Sequence, residues 1–145
     1  MKEMDEKWFH QQADDAGQLT RLAERAQETF WGLLGCEVVK ADGKKATICL
    51  DLIPSHLNLL GIVHGGVLMS LMDNAMGLVV MLAETTGRTV TANMNTHFLA
   101  STSSGLLLCE AELLHRTGRT LTLQAEVKDE DGKLLAWGSG SYRLI

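Results

Sequence analysis

Residues 62–83 read IVHGGVLMSLMDNAMGLVVMLA and carry a single formal charge, Asp73. A helix that is apolar nearly all round must be covered on nearly all sides. The pattern predicts a buried helix that starts near Gly65 and ends near Thr86 or Gly87. An ionisable side chain alone in such a segment is costly to bury unless something pairs with it or uses it. Upstream, Leu19, Leu22, Ala23, Ala26, Phe30 and Leu33 fall on one helical stripe. They predict one amphipathic helix over residues 18–34, with Asp14 or Asp15 as N-cap and Gly35 as stop. Residues 36–41 and 45–52 read as strands joined at Asp42-Gly43, a hairpin signal. Residues 54–63, which hold the chain's only proline, Pro54, read as a loop.

Beyond the apolar helix the period changes to two. Over residues 88–100, alternation assigns Val90, Ala92, Met94, Thr96 and Phe98 to one face. Residues 105–116 follow a Ser/Thr-rich turn at 101–104. Residues 119–128 set Leu121, Leu123, Ala125 and Val127 against Thr120, Thr122, Gln124 and Glu126. A turn over 129–133 leads into a last strand, 134–144. Such alternation marks antiparallel strands with one buried face. The expected architecture is α+β: a helix, a hairpin, a buried helix and a four-strand meander, as one curved antiparallel sheet wrapped around the apolar helix. Residues 1–35 form a helical extension and residues 36–145 the main domain. The sheet covers one side of the buried helix, and a second subunit is expected on the other.

Composition narrows the function. A net charge of −5 argues against a nucleic-acid binder, which needs a basic face. It leaves room for an anionic small ligand held by a few Arg or Lys side chains. Three cysteines without CxxC spacing argue against a disulfide framework or a zinc site and fit a reducing cytoplasm. His56, His97 and His115 show no metal-ligand spacing, so no metal is expected. The first residues are acidic and lack the apolar stretch of a signal peptide. Residues 62–83 approach the ~20 residues of a membrane span. Their Asp, Asn, Ser and His, between segments of strand character, argue for a core helix instead. Met69, Met72, Met76 and Met81 read as core packing.

The candidate chemistry is compact: Asn58, then Gly61, then His64-Gly65-Gly66, then Asp73. The first N–H groups of a helix lack internal partners and sit at the positive end of its dipole. They suit a developing oxyanion. Asp73 is placed to act as base or nucleophile, and Asn58 to hold a water or a carbonyl oxygen. Read alone, Asp73 also fits a structural carboxylate satisfied by Ser70, Asn74 or a neighbouring strand. Gly65 and Asp73 lie about 12 Å apart along a helix at 1.5 Å per residue. One subunit therefore cannot bring both to one carbonyl group. A symmetric antiparallel pair of helices sets Asp73 of one copy near Gly65 of the other. Gly66, Ser70, Asp73 and Gly77 form a stripe of small and polar residues suited to helix contact and substrate access.

This constellation resembles the hotdog-fold acyl-CoA thioesterases, in particular the PaaI-like (phenylacetic acid degradation-type) branch, over residues 37–144. The residues that carry it are Asn58, Gly61, His64-Gly65-Gly66, Asp73 and the run Thr91-Ala92-Asn93-Met94-Asn95. The resemblance implies a hotdog fold and hydrolysis of an aryl- or medium-chain acyl-CoA, with no cofactor besides the coenzyme A of the substrate. It implies that Asp73 is general base or nucleophile and that the Gly65 N–H is the oxyanion donor. Asn58 and His64 orient substrate, water or loop, and Thr91 supports the attacking water. It further implies an intersubunit site in a homodimer, with dimers commonly paired into tetramers. Arg116 and Arg119, in the turn His115-Arg116-Thr117-Gly118-Arg119, and also Arg88, become candidates for the coenzyme A phosphates. Gly66 and Ser70 line the substrate seam. The helix over residues 8–34 is a candidate cap for the acyl end. The competing readings are an acyl-CoA-binding module without turnover and a dehydratase of the same fold, whose His-centred motifs do not occur here.

Overall fold

The computed structural model describes residues 15–145. Helix α1 (Asp15–Ala26) leads into a short α2 (Phe30–Leu34). The hairpin β1 (Glu37–Ala41) and β2 (Lys45–Asp51) follows, then a 3-10 turn at Pro54–His56. The long helix α3 (Gly65–Ala83) precedes β3 (Thr89–Phe98), β4 (Leu106–Thr117), β5 (Thr120–Asp129) and β6 (Leu134–Leu144).

Where one helix was expected over residues 18–34, there are two. Helix α1 ends in tight i→i+3 bonds from Glu28 N to Arg25 O and from Thr29 N to Ala26 O. The Thr29 hydroxyl also donates to Ala26 O. The break is permitted by Gly32, because a Cβ there would sit 2.0 Å from Gln27 O. Its consequence is that Phe30 and Leu33 leave the buried stripe and are exposed, while Leu22 and Leu34 stay in the core. Gly35 ends α2 in the left-handed region, as expected of a stop. Asp14 lies outside the described residues, and Asp15 is the first residue of α1.

Asp42 closes the β1–β2 hairpin through its carboxylate, which accepts from Lys44 N and Lys45 N. The expected loop over 54–63 contains the Pro54–His56 turn and a bridge from Leu57 to Val63. His56 is buried there; its Nδ1 accepts from Ile53 N and its Nε2–H donates to Leu34 O. The ring thus ties this loop to the end of α2. Helix α3 stops at Ala83, short of Thr86. Glu84 turns out in an extended conformation and its carboxylate takes the Thr86 N–H and hydroxyl.

All strands join one antiparallel sheet in the order β1-β2-β4-β5-β6-β3. Here the expected four-strand meander is corrected. Strands β4, β5 and β6 form a meander, but β3 pairs with β6 at the far edge. Burial explains the order. Strands β2 and β4 bury Ala46, Ile48, Leu50, Leu107, Cys109 and Ala111 and so sit centrally, whereas β3 is mostly exposed. The curved sheet wraps α3, whose Leu71, Met72, Ala75, Met76, Val79 and Val80 are fully buried. That helix is long and apolar enough to cross a membrane, yet it is the core of the sheet's concave side. Met69, expected in the core, is exposed.

Candidate active site

The site begins with a fault in β3. Met94, Thr96 and Phe98 lie opposite Gly140, Gly138 and Ala136 on the face toward α3. The register shifts between Thr91 and Asn93, so Ala92 is an extra residue. Below this bulge Thr91 falls opposite Tyr142 and Val90 opposite Arg143. Strict alternation, which put Val90 and Ala92 on the inner face, is thereby corrected. Bulges bend a strand and re-aim side chains, and this one turns Thr91 toward the helix.

Asp73 receives two hydroxyls on one oxygen. Thr91 Oγ1 donates to Asp73 Oδ1 at 2.9 Å and Tyr142 OH to the same Oδ1 at 2.6 Å. Neither Ser70 nor Asn74 serves it: the Ser70 hydroxyl donates to Gly66 O and the Asn74 amide to Cys36 Sγ. Asp73 Oδ2 has no hydrogen-bond partner among the described residues. Two donors on Oδ1 fix the rotation of the carboxyl group and leave Oδ2 for incoming chemistry. Tyr142 is buried, and burial first, then the neighbouring Asp73 carboxylate, push its phenol far above the ordinary range. It is a permanent donor. The sequence reading missed it, although its signal was present: the chain's one tyrosine sits on the apolar face of a strand, where its hydroxyl needs a partner.

Beside Asp73 opens a cavity of about 420 Å³. Asp73, Asn74, Gly77, Leu78 and Met81 line it from α3, Thr89 and Thr91 from β3, and Tyr142 from β6. Residues of α1 and α2, including Leu22, Ala26, Phe30 and Trp31, close it from above. Among the described residues, its charged lining side chains are Asp73 and Arg25.

The other candidates gather at the start of α3, away from this cavity. His64 is the N-cap, and its Nδ1 accepts from Gly66 N at 2.7 Å. That bond leaves the ring hydrogen on Nε2 and occupies the Gly66 N–H. The Gly65 N–H has no acceptor among the described residues. Gly65 is also where a side chain would be crowded, since a Cβ would meet the Phe98 ring at 3.2 Å. Asn58 Oδ1 accepts from Leu60 N and Ile62 N, and its backbone brackets the same turn. Asn58 and His64 thus hold the loop that presents Gly65.

The basic candidates have local roles. Arg116 forms an ion pair with Glu84 at 2.5 Å, and Arg119 donates twice to Leu144 O. Arg88 lies in the exposed turn after α3, and its carbonyl accepts from Ile145 N. The thiols are poor nucleophiles: burial pushes Cys36 up to about 11 despite the Asn74 amide, and raises Cys109 and Cys49 as well. Among the described residues no cluster of His, Cys, Asp or Glu could hold a metal ion.

A pattern for the thioesterase superfamily matches residues 60–136, more than half of the chain. MT1895 from Mycobacterium tuberculosis, named as a candidate esterase, is 33% identical over 101 residues, covering 67% of this chain and 71% of its own. The solved structure of Rv1847/MT1895 superposes with a TM-score of 0.77 at 29% identity, over 80% of this chain and 95% of that one. PA5202 from Pseudomonas aeruginosa gives a TM-score of 0.75 at 32% identity, over 81% and 94%. A hypothetical thioesterase from Streptococcus pneumoniae, solved with coenzyme A, shares the fold at 22% identity and a TM-score of 0.72, over 76% and 88%. The curved antiparallel sheet around one long helix is the hotdog fold, and the chain belongs to the thioesterase superfamily, a family of thioester hydrolases.

Proposed function

We propose that this chain hydrolyses an acyl-CoA thioester, as a PaaI-like member of its superfamily. The observation that carries the reading is the Asp73 carboxylate, held by two hydroxyls on Oδ1, with Oδ2 unpartnered among the described residues, at the wall of an apolar cavity. In this reading water attacks the thioester carbonyl carbon as Asp73 Oδ2 takes its proton. The tetrahedral intermediate then collapses, the carbon–sulfur bond breaks, and coenzyme A leaves as the thiol after receiving that proton. Direct attack by the carboxylate, followed by hydrolysis of the anhydride, uses the same oxygen. Oxygen-18 label appearing first in the enzyme carboxylate during single turnover marks that second route.

The oxyanion needs a donor, and the Gly65 N–H at the positive end of α3 suits it. With about 12 Å between Gly65 and Asp73 in one chain, the donor comes from a second copy in an antiparallel homodimer. Pairing of such dimers into a tetramer is part of the same proposal. Arg88, Arg116 and Arg119 are assigned to the coenzyme A phosphates, Arg116 by exchanging Glu84 for the ligand. Gly66 and Ser70 flank the substrate seam. No metal or redox cofactor enters this chemistry. The three free thiols suit a reducing cytoplasm.

The test is thiol release from aryl and aliphatic acyl-CoAs, with Asp73→Asn as control. Release that the substitution lowers by about two to four orders of magnitude supports the reading. Saturable binding without release turns the protein into an acyl-CoA-binding module instead.

A further inference from the structure

We infer that the cavity beside Asp73 is an acyl chamber roofed by this chain's own N-terminal helices, and that it takes an uncharged, extended hydrocarbon chain. The inference rests on the thioesterase reading only for where the carbonyl sits. The chamber floor is a stripe of α3: Asp73, Gly77 and Met81, each four residues from the next. It runs about 12 Å from the carboxylate at 1.5 Å per residue. A single aromatic ring falls short of that length, whereas an alkyl chain of medium length fills it.

The roof consists of Leu22, Ala26, Phe30 and Trp31. These residues precede the part of the chain that the superfamily pattern matches, which begins at residue 60. The Mycobacterium and Pseudomonas structures are matched over 95% and 94% of their own lengths, yet they cover only 80% and 81% of this chain. This chain therefore extends beyond the matched length of those two proteins, whereas other relatives match 88% of it.

Three polar side chains of the lining are already engaged. The Trp31 indole N–H donates to Cys36 O at 2.9 Å, the Thr29 hydroxyl to Ala26 O at 2.6 Å and the Asn74 amide to Cys36 Sγ. A hydroxyl or carboxylate placed against these three groups loses water without regaining equivalent partners. Apolar methylenes gain from the same transfer. Gly77 keeps the passage open midway: a Cβ there meets only a Tyr142 ring carbon, at 4.0 Å.

The experiment compares butyryl-, octanoyl-, phenylacetyl- and succinyl-CoA. In the native protein kcat/KM rises about fourfold per methylene from butyryl to octanoyl, the value of one buried CH₂. Two substitutions fill the chamber from opposite walls, Gly77→Leu from the floor and Ala26→Phe from the roof. Leu is a better helix former than Gly, and circular dichroism and Tm confirm the fold of each variant. Each lowers the octanoyl-to-butyryl ratio of kcat/KM by about tenfold or more, equivalent to losing two or more methylene contacts. An unchanged ratio in folded, active variants overturns the chamber. So does a native preference for phenylacetyl- or succinyl-CoA, the latter pointing to Arg25 as partner of a distal carboxylate. If no thioester is cleaved at all, the thioesterase reading fails, and calorimetry decides the chamber separately. Tighter binding of octanoyl- than butyryl-CoA, abolished by Gly77→Leu, keeps it; equal binding overturns it.

Discussion

At the scale of single residues, Asp73 is an acid whose two oxygens differ. Oδ1 carries the Thr91 and Tyr142 hydroxyls, and Oδ2 carries none among the described residues. A hydrogen bond to a charged group contributes about 1.5–3 kcal/mol, and about 1.4 kcal/mol is a factor of ten in rate. Tyr142→Phe, which removes one oxygen from a buried ring, should therefore lower kcat by about tenfold to a hundredfold while KM changes little. A drop in Tm with kcat intact would assign Tyr142 to structure alone. The same residue sets an alkaline limit. Its folded pKa is raised above the ordinary value by burial and by Asp73. Its stabilising contribution is fully present below about pH 10, the value in the unfolded chain, and is lost as pH rises above it. The Cys36 thiol, pushed up to about 11, adds to that loss with the same sign. Since Tyr142 is the only tyrosine, tyrosinate absorbance reads it directly and should appear together with unfolding. A tyrosinate signal near pH 10 in the folded protein would show the Tyr142–Asp73 bond to be absent. Asp73 was legible in the sequence because a lone charge in an apolar helix demands an explanation. Tyr142 was not, because it lies 69 positions away and only strand register brings it back.

Among the elements, the decisive one is the β3 bulge. The composition of residues 88–100 shows a strand but hides the extra residue, because Thr91, Ala92 and Asn93 are all compatible with either face. The break between α1 and α2 was hidden for a similar reason: helical periodicity continues through residues 27–29, and Gly32, which permits the close approach of the Gln27 backbone, does not by itself announce a turn. Long-range pairing of β3 with β6 rather than β4 is likewise absent from local patterns. By contrast, the apolar helix, the Asp42-Gly43 hairpin and the alternation of β5 carry their signals locally and are found where expected. Two changes test these elements. Deleting Ala92 should give regular pairing with Thr91 still opposite Tyr142 and Val90 still opposite Arg143, and so cost less activity than Thr91→Ala. Equal losses in the two variants would show that the bend of the bulge, and not only the Thr91 hydroxyl, shapes the site. Gly32→Ala forces a Cβ into Gln27 O and should lower stability by about 1–3 kcal/mol, measured by urea unfolding. A neutral result would mean that α1 and α2 re-pack freely.

For the molecule as a whole, three features of one protomer remain unsatisfied together. Strand β3 is ten residues long and ends the sheet with an open edge, a liability unless something pairs with it. Phe98 and Leu99 on that strand's end, Leu59 and Leu60 on the Asn58 turn, and Met69 on α3 are exposed. The Gly65 N–H lacks an acceptor among the described residues and stands about 12 Å along the helix from Asp73. A two-fold axis that sets two α3 helices antiparallel answers all three, because a residue near one end of a helix then meets the middle of its partner. The protein should therefore sediment as a dimer or a dimer of dimers at micromolar concentration. The sharper check is complementation. Asp73→Asn subunits lack the acid, and Asn58→Ala subunits lack the bonds that hold the Gly65 loop. If each site takes Asp73 from one copy and that loop from the other, a heterodimer of the two variants contains one intact site and one doubly damaged site. Random exchange of equal amounts then restores about a quarter of native turnover, and purified heterodimer about half. With both parents close to inactive, no recovery in heterodimers verified by mass would confine Asp73 and its oxyanion donor to a single subunit. The donor would then have to be a group nearer to Asp73 than Gly65.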